Sequence, residues 1–164
     1  MSRQSSPAGL ANENATLAER VVVNATATGT TINLTPEDHA GRLYVVDTIF
    51  TVSTINIKLP KATGSGDVYE IVNNAVQTFG FIVSLQVATD YLSGTAIMLE
   101  QTGGTDDVVF YTSATSDKIT FNPTQTTGGL RGDRIKAIDY KSGYYLVDCR
   151  LMAAGDTVTP FSAT

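Results

Sequence analysis

Residues 53–72 read STINIKLPKATGSGDVYEIV, and they indicate the fold class. In residues 53–59 apolar Ile and Leu alternate with Thr, Asn and Lys, the period-two pattern of a strand with one buried face. Pro60 cannot donate to a strand ladder, and the glycine-rich run after it favours a turn. Residues 68–72 then resume the strand pattern. The stretch therefore predicts a β-hairpin.

Similar apolar, β-branched runs recur about every eight to twelve residues from Arg20 onward, which is typical of a β-sandwich or barrel. No segment shows a sustained helical pattern with caps, so a parallel sheet with crossover helices is not expected. No internal repeat of roughly 20 to 50 residues is visible, which argues against propellers and solenoids. We therefore predict an all-β fold: an antiparallel β-sandwich, jelly-roll-like, with about ten strands.

Three further parts of the chain carry specific predictions. Residues 134–139 and 144–151 are expected to form a hairpin through the turn between them. Residues 79–87 are mostly apolar, so we expect them to cross the core, with residues 96–100 paired near them. The end of the chain, from residue 153, is expected to be a short extended tail.

We expect the chain to divide into a flexible N-terminal arm, residues 1–19, and one β-sandwich domain, residues 20–164. Ser, Asn, Gln, Gly and Pro dominate the arm, and its few apolar groups do not offset the entropy lost on ordering. A chain of 164 residues with 42% hydrophobic residues has the size and apolar content of one domain.

Charge and composition restrict the partners. The net charge is -5, whereas binding nucleic acid through its phosphates requires clustered Lys and Arg. No apolar run approaches the roughly 20 residues of a transmembrane helix. We therefore expect neither a nucleic-acid nor a membrane partner. A single cysteine and a start without a signal-peptide pattern predict synthesis and folding in a cytoplasm.

Residue types that carry catalysis or bind metals are few. His39 is the single histidine and lies in a turn-like stretch, so one chain cannot assemble a multi-histidine metal site. Cys149 lies among apolar strand residues, where a small buried hydrophobe is the expected role. A catalytic thiol there would need a nearby base. We expect no enzyme activity, no metal site and no cofactor.

Five short motifs leave alternatives open. The acidic pairs at 37–38 and 106–107 allow a glycosidase-type carboxylate pair, although adjacent acids are commonly solvated. The glycine runs at 64–66 and 127–129 could cradle an anion, but no helix follows either of them, which favours turns. Residues 131–133 spell Arg-Gly-Asp, a cell-adhesion tripeptide, but Gly-Asp also serves a bend before a strand.

Several stretches resemble small virion proteins of tailed bacteriophages. They are residues 55–72, ITFNPT at 119–124, TGGLRGDRI at 127–135, YYLV at 144–147 and TPFSAT at 159–164. The resemblance implies a capsid decoration, or cement, protein. Such a protein binds the outer surface of the assembled head, commonly as a homotrimer, and stabilises it by bridging subunits of the major capsid protein.

On this interpretation the arm docks on the capsid, and part of the apolar domain surface forms the contact between protomers. A segment that orders on the shell can span a subunit boundary. The protein would then lie on the outer capsid surface of the virion after synthesis in the host cytoplasm. The residues assigned to the capsid-binding arm are Ser2, Arg3, Gln4, Ser5, Leu10, Asn12, Leu17 and Arg20.

Two other functions stay open. The same β pattern would suit a tail-fibre or receptor-binding module that contacts host surface glycans or proteins. Tyrosines could stack on sugars in such a module. The candidates are Tyr91, Tyr111, Tyr140, Tyr144 and Tyr145. A hydrolase built on a sandwich is the third possibility, and it predicts turnover and a cleft with perturbed carboxylates.

Overall fold

A computed structural model describes residues 20–23, 31–47, 54–101, 107–122 and 126–163, with backbone alone for the first of these ranges. The described residues form strands and one four-residue helix, α1, at Pro36–His39. No helix in these ranges is long and apolar enough to span a membrane. The strands are β1 (Arg20–Val23), β2 (Thr31–Asn33), β3 (Leu43–Val46), β4 (Ile55–Leu59), β5 (Val68–Asn73), β6 (Phe81–Leu85), β7 (Tyr91–Glu100), β8 (Val108–Tyr111), β9 (Lys118–Phe121), β10 (Arg134–Lys141), β11 (Tyr144–Ala153) and β12 (Phe161–Ser162).

The strands form two sheets, which confirms the prediction of an all-β fold. The large sheet has seven strands in the order β1-β3-β5-β10-β11-β7-β8, and the small sheet has five in the order β12-β9-β6-β4-β2. Both sheets are mixed, because five of the ten pairings between described strands are parallel. The predicted antiparallel arrangement is therefore wrong for half of these pairings, and a jelly roll built of antiparallel strands does not account for them.

Four of the five parallel pairs arise because the first half of the chain coils between the sheets. β1, β3 and β5 are parallel neighbours in the large sheet, and β2, β4 and β6 are parallel neighbours in the small sheet. Arg20 pairs with Leu43 and Leu43 with Glu70, which lie 23 and 27 positions later in the chain. Each turn of this coil adds one strand to each sheet.

The coil overturns the predicted hairpin. Residues 53–72 do not form a hairpin, because β4 belongs to the small sheet and β5 to the large one.

The second half of the chain closes both sheets. β10 and β11 form the predicted hairpin, with a register shift between Asp139 and Lys141. β11 is also parallel to β7, which places residues 96–100 in the large sheet and away from β6. The predicted pairing of residues 96–100 near residues 79–87 is therefore wrong. Part of the expected C-terminal tail is β12, which pairs with β9.

Side chains from both sheets meet in one hydrophobic core. Alternation is clearest in β4 and β11, where every second residue is buried. Phe81 of β6 and Phe121 of β9 stack with their ring centroids 4.1 Å apart. Burying one such large apolar side chain stabilises a fold by about 1.5–3 kcal/mol, so the shared core is the main source of stability.

Gly94 allows β7 to approach β11 closely. It lies opposite Val147 with φ of 150°, and a Cβ at this position would lie 1.9 Å from the carbonyl oxygen of Val147. On the other side, its backbone N–H donates to the hydroxyl of Thr112 at 3.0 Å. Any larger residue must push β7 away from one of these neighbours.

Replacing Gly94 with Ala is therefore expected to lower the free energy of unfolding by about 1–3 kcal/mol, the usual cost of overpacking. Urea denaturation measures this change. Gly155→Ala is the matched control, because nothing lies within 4 Å of a Cβ at that position. If both variants unfold like the unaltered protein, the close approach of β7 and β11 is contradicted.

Candidate functional site

Most residues assigned to the capsid-binding arm fall outside the described part of the chain. This applies to Ser2, Arg3, Gln4, Ser5, Leu10, Asn12 and Leu17. Arg20 is the first residue of β1, and its backbone pairs with Leu43 of β3. Arg20 therefore belongs to the large sheet, at the position where the sequence analysis begins the domain.

His39 and Cys149, the residues considered for metal binding and thiol chemistry, make contacts that belong to the fold. His39 ends α1, where its Nδ1 accepts a hydrogen bond from the backbone N–H of Thr35 at 3.0 Å, and its ring lies 5.6 Å from that of Tyr44. Cys149 is fully buried, which confirms its expected role as a small hydrophobe, and burial raises the pKa of its thiol. Within the described ranges, no three His, Cys, Asp or Glu side chains are grouped as metal ligands.

The acidic residues noted in the sequence are not the buried ones. Residues 37 and 38 are exposed on α1, residue 107 is exposed, and residue 106 lies outside the described ranges. The buried acids are Asp90, Asp133 and Asp139, which are at most 3% exposed. Because a buried carboxylate needs hydrogen-bond donors, the loops around these three residues determine their role.

Asp139 lies in a cradle made by the loop between β4 and β5. Its carboxylate accepts hydrogen bonds from the backbone N–H groups of Thr63 at 2.9 Å, Gly64 at 2.7 Å and Ser65 at 3.3 Å, and from both hydroxyls of Thr63 and Ser65 at 3.0 Å. Burial acts to raise the pKa of Asp139, but these bonds outweigh it and hold the pKa below its ordinary value. Asp90 supports the same loop by accepting from the N–H of Ala62 at 2.8 Å.

Asp133 occupies a second cradle, formed by the loop before β10 and by one residue of β11. Its carboxylate accepts from the N–H groups of Gly129 at 2.6 Å, Leu130 at 3.0 Å and Met152 at 2.7 Å. Burial raises the pKa of Asp133 to about 6 despite these bonds. Because the folded state binds this proton more tightly than the unfolded state, the contribution of Asp133 to stability increases as the pH falls from above about 6 toward the unfolded pKa of about 4.

Both cradles change the interpretation of the glycine runs. The runs at 64–66 and 127–129 lie in connections between strands, and N–H groups in or beside each of them bind an anion that the chain itself supplies. Asp133 is 1% exposed, so the Arg-Gly-Asp tripeptide presents no carboxylate to an adhesion receptor. One feature of the sequence could have predicted that Asp139 is buried. It follows Ile135 and Ala137 at alternate positions on the buried face of β10.

An apolar surface lies at the β8 edge of the large sheet. Ile97 and Leu99 on β7 and Val109 and Tyr111 on β8 point outward, and we call these four residues the apolar strip. Ile97 pairs with Val109, and Tyr111 is 73% exposed. A depression of about 260 Å³ lies beside the strip, where Ile97 and Leu99 meet Met152. Of these four residues only Tyr111 was a candidate from the sequence, as a sugar-stacking tyrosine, because apolar side chains in β7 occupy both faces.

The small sheet presents a different outer face. Its outward residues are polar except for Ile82, and two of them are lysines. They are Thr31, Asn33, Asn56, Lys58, Ile82, Ser84, Lys118, Thr120 and Ser162. The domain therefore presents an apolar strip on one sheet and a polar, basic surface on the other.

Comparison with known proteins gave no identification. No family model, curated protein or solved structure matches this chain. The three buried acids of the described chain accept hydrogen bonds from backbone N–H groups and from hydroxyls of the neighbouring loop. Their carboxylates hold loops in place, which is a structural role.

Replacing Asp139 with Asn is expected to lower the free energy of unfolding at pH 7 by about 2–3 kcal/mol, because hydrogen bonds to a charged acceptor are lost. The pKa of Asp139 is lowered in the folded state, so its contribution is complete above the unfolded pKa of about 4 and is lost as the pH falls through the folded value. Urea denaturation at pH 7 and at acidic pH measures both effects.

Asp148→Asn is the control for this variant, because Asp148 is exposed on the neighbouring strand β11. It should change the free energy of unfolding by no more than about 0.5 kcal/mol. Equal effects of the two substitutions at pH 7 would show that the cradle contributes nothing particular to stability.

Proposed function

We propose that this chain is a structural virion protein, a capsid decoration protein of a tailed bacteriophage. In this proposal the two sheets form a β-sandwich, the protein is a homotrimer, and it bridges subunits of the major capsid protein on the outside of the head. The observation that carries the proposal is the apolar strip beside an open sheet edge, since it favours a protein whose role is contact with other proteins.

The strip suits a contact between protomers. Among the described strands, β8 is an edge strand of the large sheet, and one side of its backbone has no neighbour within that part of the chain. Its sequence, VVFY, contains no charge and no proline, which are the usual means of protecting an edge from pairing. Covering such an edge within a symmetric oligomer removes the unpaired backbone groups and the exposed apolar area together.

The capsid contact is assigned to the N-terminal arm. Residues 1–19 precede β1, which is itself an edge strand of the large sheet. A ligand that binds the assembled lattice and not its free subunits stabilises the lattice by its binding free energy, and many copies multiply this effect. The net charge of -5 also suits a position outside the shell, away from packaged DNA.

A group of aromatic residues supports the alternative of a receptor-binding module. Tyr91 and Tyr144 lie 5.9 Å apart between ring centroids, and the Nζ of Lys141 lies 5.0 Å from the Tyr144 ring. Tyr140 is exposed nearby in the β10–β11 hairpin. The other two tyrosines do not join this group, because Tyr145 is buried in the core and Tyr111 belongs to the apolar strip.

A charge in the apolar strip should separate the protomers. Val109→Lys places an ammonium group in the proposed contact, so at micromolar concentration we expect the native mass to fall from that of a trimer to that of a monomer. Light scattering after size exclusion measures the mass. Thr31→Lys is the matched control, because Thr31 is also exposed on an edge strand but lies in the small sheet. A trimer that survives Val109→Lys places the contact elsewhere.

Capsid binding is tested by mixing the purified protein with undecorated capsids of the phage that encodes it and imaging the particles. We expect ordered density at local symmetry axes for the full chain. Deleting residues 2–19, which leaves β1 intact, should reduce occupancy several-fold without dissociating the oligomer. Unchanged occupancy would refute the role of the arm, and bare capsids with the full chain would favour the receptor-binding alternative.

A further inference from the structure

The polar face of the small sheet contains a row of residues that lie side by side on neighbouring strands. Lys58 of β4 pairs with Ser84 of β6, and Ser84 pairs with Lys118 of β9. We call these three residues the lysine row. Their strands alternate apolar residues inward, so all three side chains face outward. A small hydroxyl residue between two long cationic ones leaves space above itself.

That space is a depression of about 310 Å³. Ser84 lies at its floor and is only 5% exposed, although it is on the outer face of the sheet. Asn56, Gln86 and the carboxylate residue Asp117 complete the polar lining. The apolar part of the lining is supplied by Leu85, Val87 and Ala88.

The polar groups at the floor are held in fixed orientations. The Ser84 hydroxyl donates to Oδ1 of Asn56 at 2.7 Å, so the amide nitrogen of Asn56 is directed away from Ser84 as a donor. The Nε2 of Gln86 donates to the backbone carbonyl of Leu34 at 2.8 Å, which leaves its Oε1 as an acceptor. A ligand therefore meets donors and acceptors that are already oriented, and this lowers the entropy cost of binding.

The lining contains two ammonium groups and one carboxylate, that of Asp117, so its net positive charge favours a negatively charged ligand. Neighbouring strands lie about 4.8 Å apart, so the backbones that carry Lys58 and Lys118 are separated by roughly 10 Å. Long side chains at this distance reach a common anion from both sides, and an anion between them offsets their mutual repulsion. The remaining lining is of mixed character, with amides, a hydroxyl and the carboxylate of Asp117.

We propose that the lysine row binds an acidic sugar unit of a glycan, with the carboxylate of the sugar between Lys58 and Lys118. Hydroxyl groups both donate and accept hydrogen bonds, so a sugar with several of them satisfies the mixed lining, whereas phosphate at neutral pH carries at most two hydroxyl donors. The volume of about 310 Å³ also exceeds what a phosphate fills. Two lysines without an aromatic platform do not form a site for single-stranded nucleic acid.

This proposal stands independently of capsid decoration, since it concerns the sheet opposite the apolar strip. The test is a titration followed by two-dimensional ¹H–¹⁵N NMR, with D-glucuronate as the probe and with D-glucose and inorganic phosphate as comparison ligands. With glucuronate we expect saturable shifts at Lys58, Ser84 and Lys118 and a Kd on the order of millimolar. D-glucose and phosphate should each bind at least about tenfold more weakly, a difference of about 1.4 kcal/mol.

The variant that tests the site is the double substitution Lys58→Gln and Lys118→Gln, which should weaken glucuronate binding at least tenfold while the remaining resonances stay in place. Lys136→Gln, on the outward side of β10 in the large sheet, is the matched control and should bind like the unaltered protein. The proposal is overturned if glucuronate gives no saturable shifts, if the double variant binds equally well, or if phosphate binds as tightly as glucuronate. Capsid occupancy of the double variant should be unchanged, which separates this result from the outcome for the proposed function.

Discussion

The fold depends on how the chain crosses from one sheet to the other. A crossing loop leaves its backbone N–H groups without partners in either strand ladder, and an unpaired buried N–H group is costly. In this domain two buried carboxylates, Asp90 and Asp139, accept from the loop between β4 and β5, and Asp133 accepts from the loop before β10. The hydrophobic core supplies most of the stability, but these contacts hold the crossing loops in positions that allow both sheets to share one core.

The two sheets differ on their outer faces, and this difference links the fold to its proposed roles. The large sheet has the apolar strip at an open edge, whereas the small sheet has a polar face with lysines on two of its strands. A domain of this kind can bury one face against protein while the other stays in water. The proposed contact with other protomers and the proposed binding of an acidic sugar therefore use different surfaces.

How far the sequence predicts this structure depends on the range of the interaction. Alternation in residues 55–59 correctly identifies β4 and its buried face, and the turn at Ser142 and Gly143 correctly identifies the β10–β11 hairpin. The same alternation does not tell which sheet the next strand joins, so a hairpin was predicted where the chain crosses. The role of Asp139 was missed because its partners in the loop before β5 lie up to 76 positions away in the sequence. The lysine row was missed for the same reason, because its three residues become neighbours only when their strands pair.

The strand order has a consequence for how the protein folds during synthesis. β5 pairs with β10, and β7 pairs with β11, so the middle of the large sheet joins strands made early to strands made late. Ile71, for example, pairs with Ile135, which is synthesised 64 residues later. Non-local pairing of this kind is slow because the entropy of a long loop is lost first. The early strands therefore emerge from the ribosome as exposed, apolar segments, and the domain reaches its native structure only when β11 is free to insert between β10 and β7.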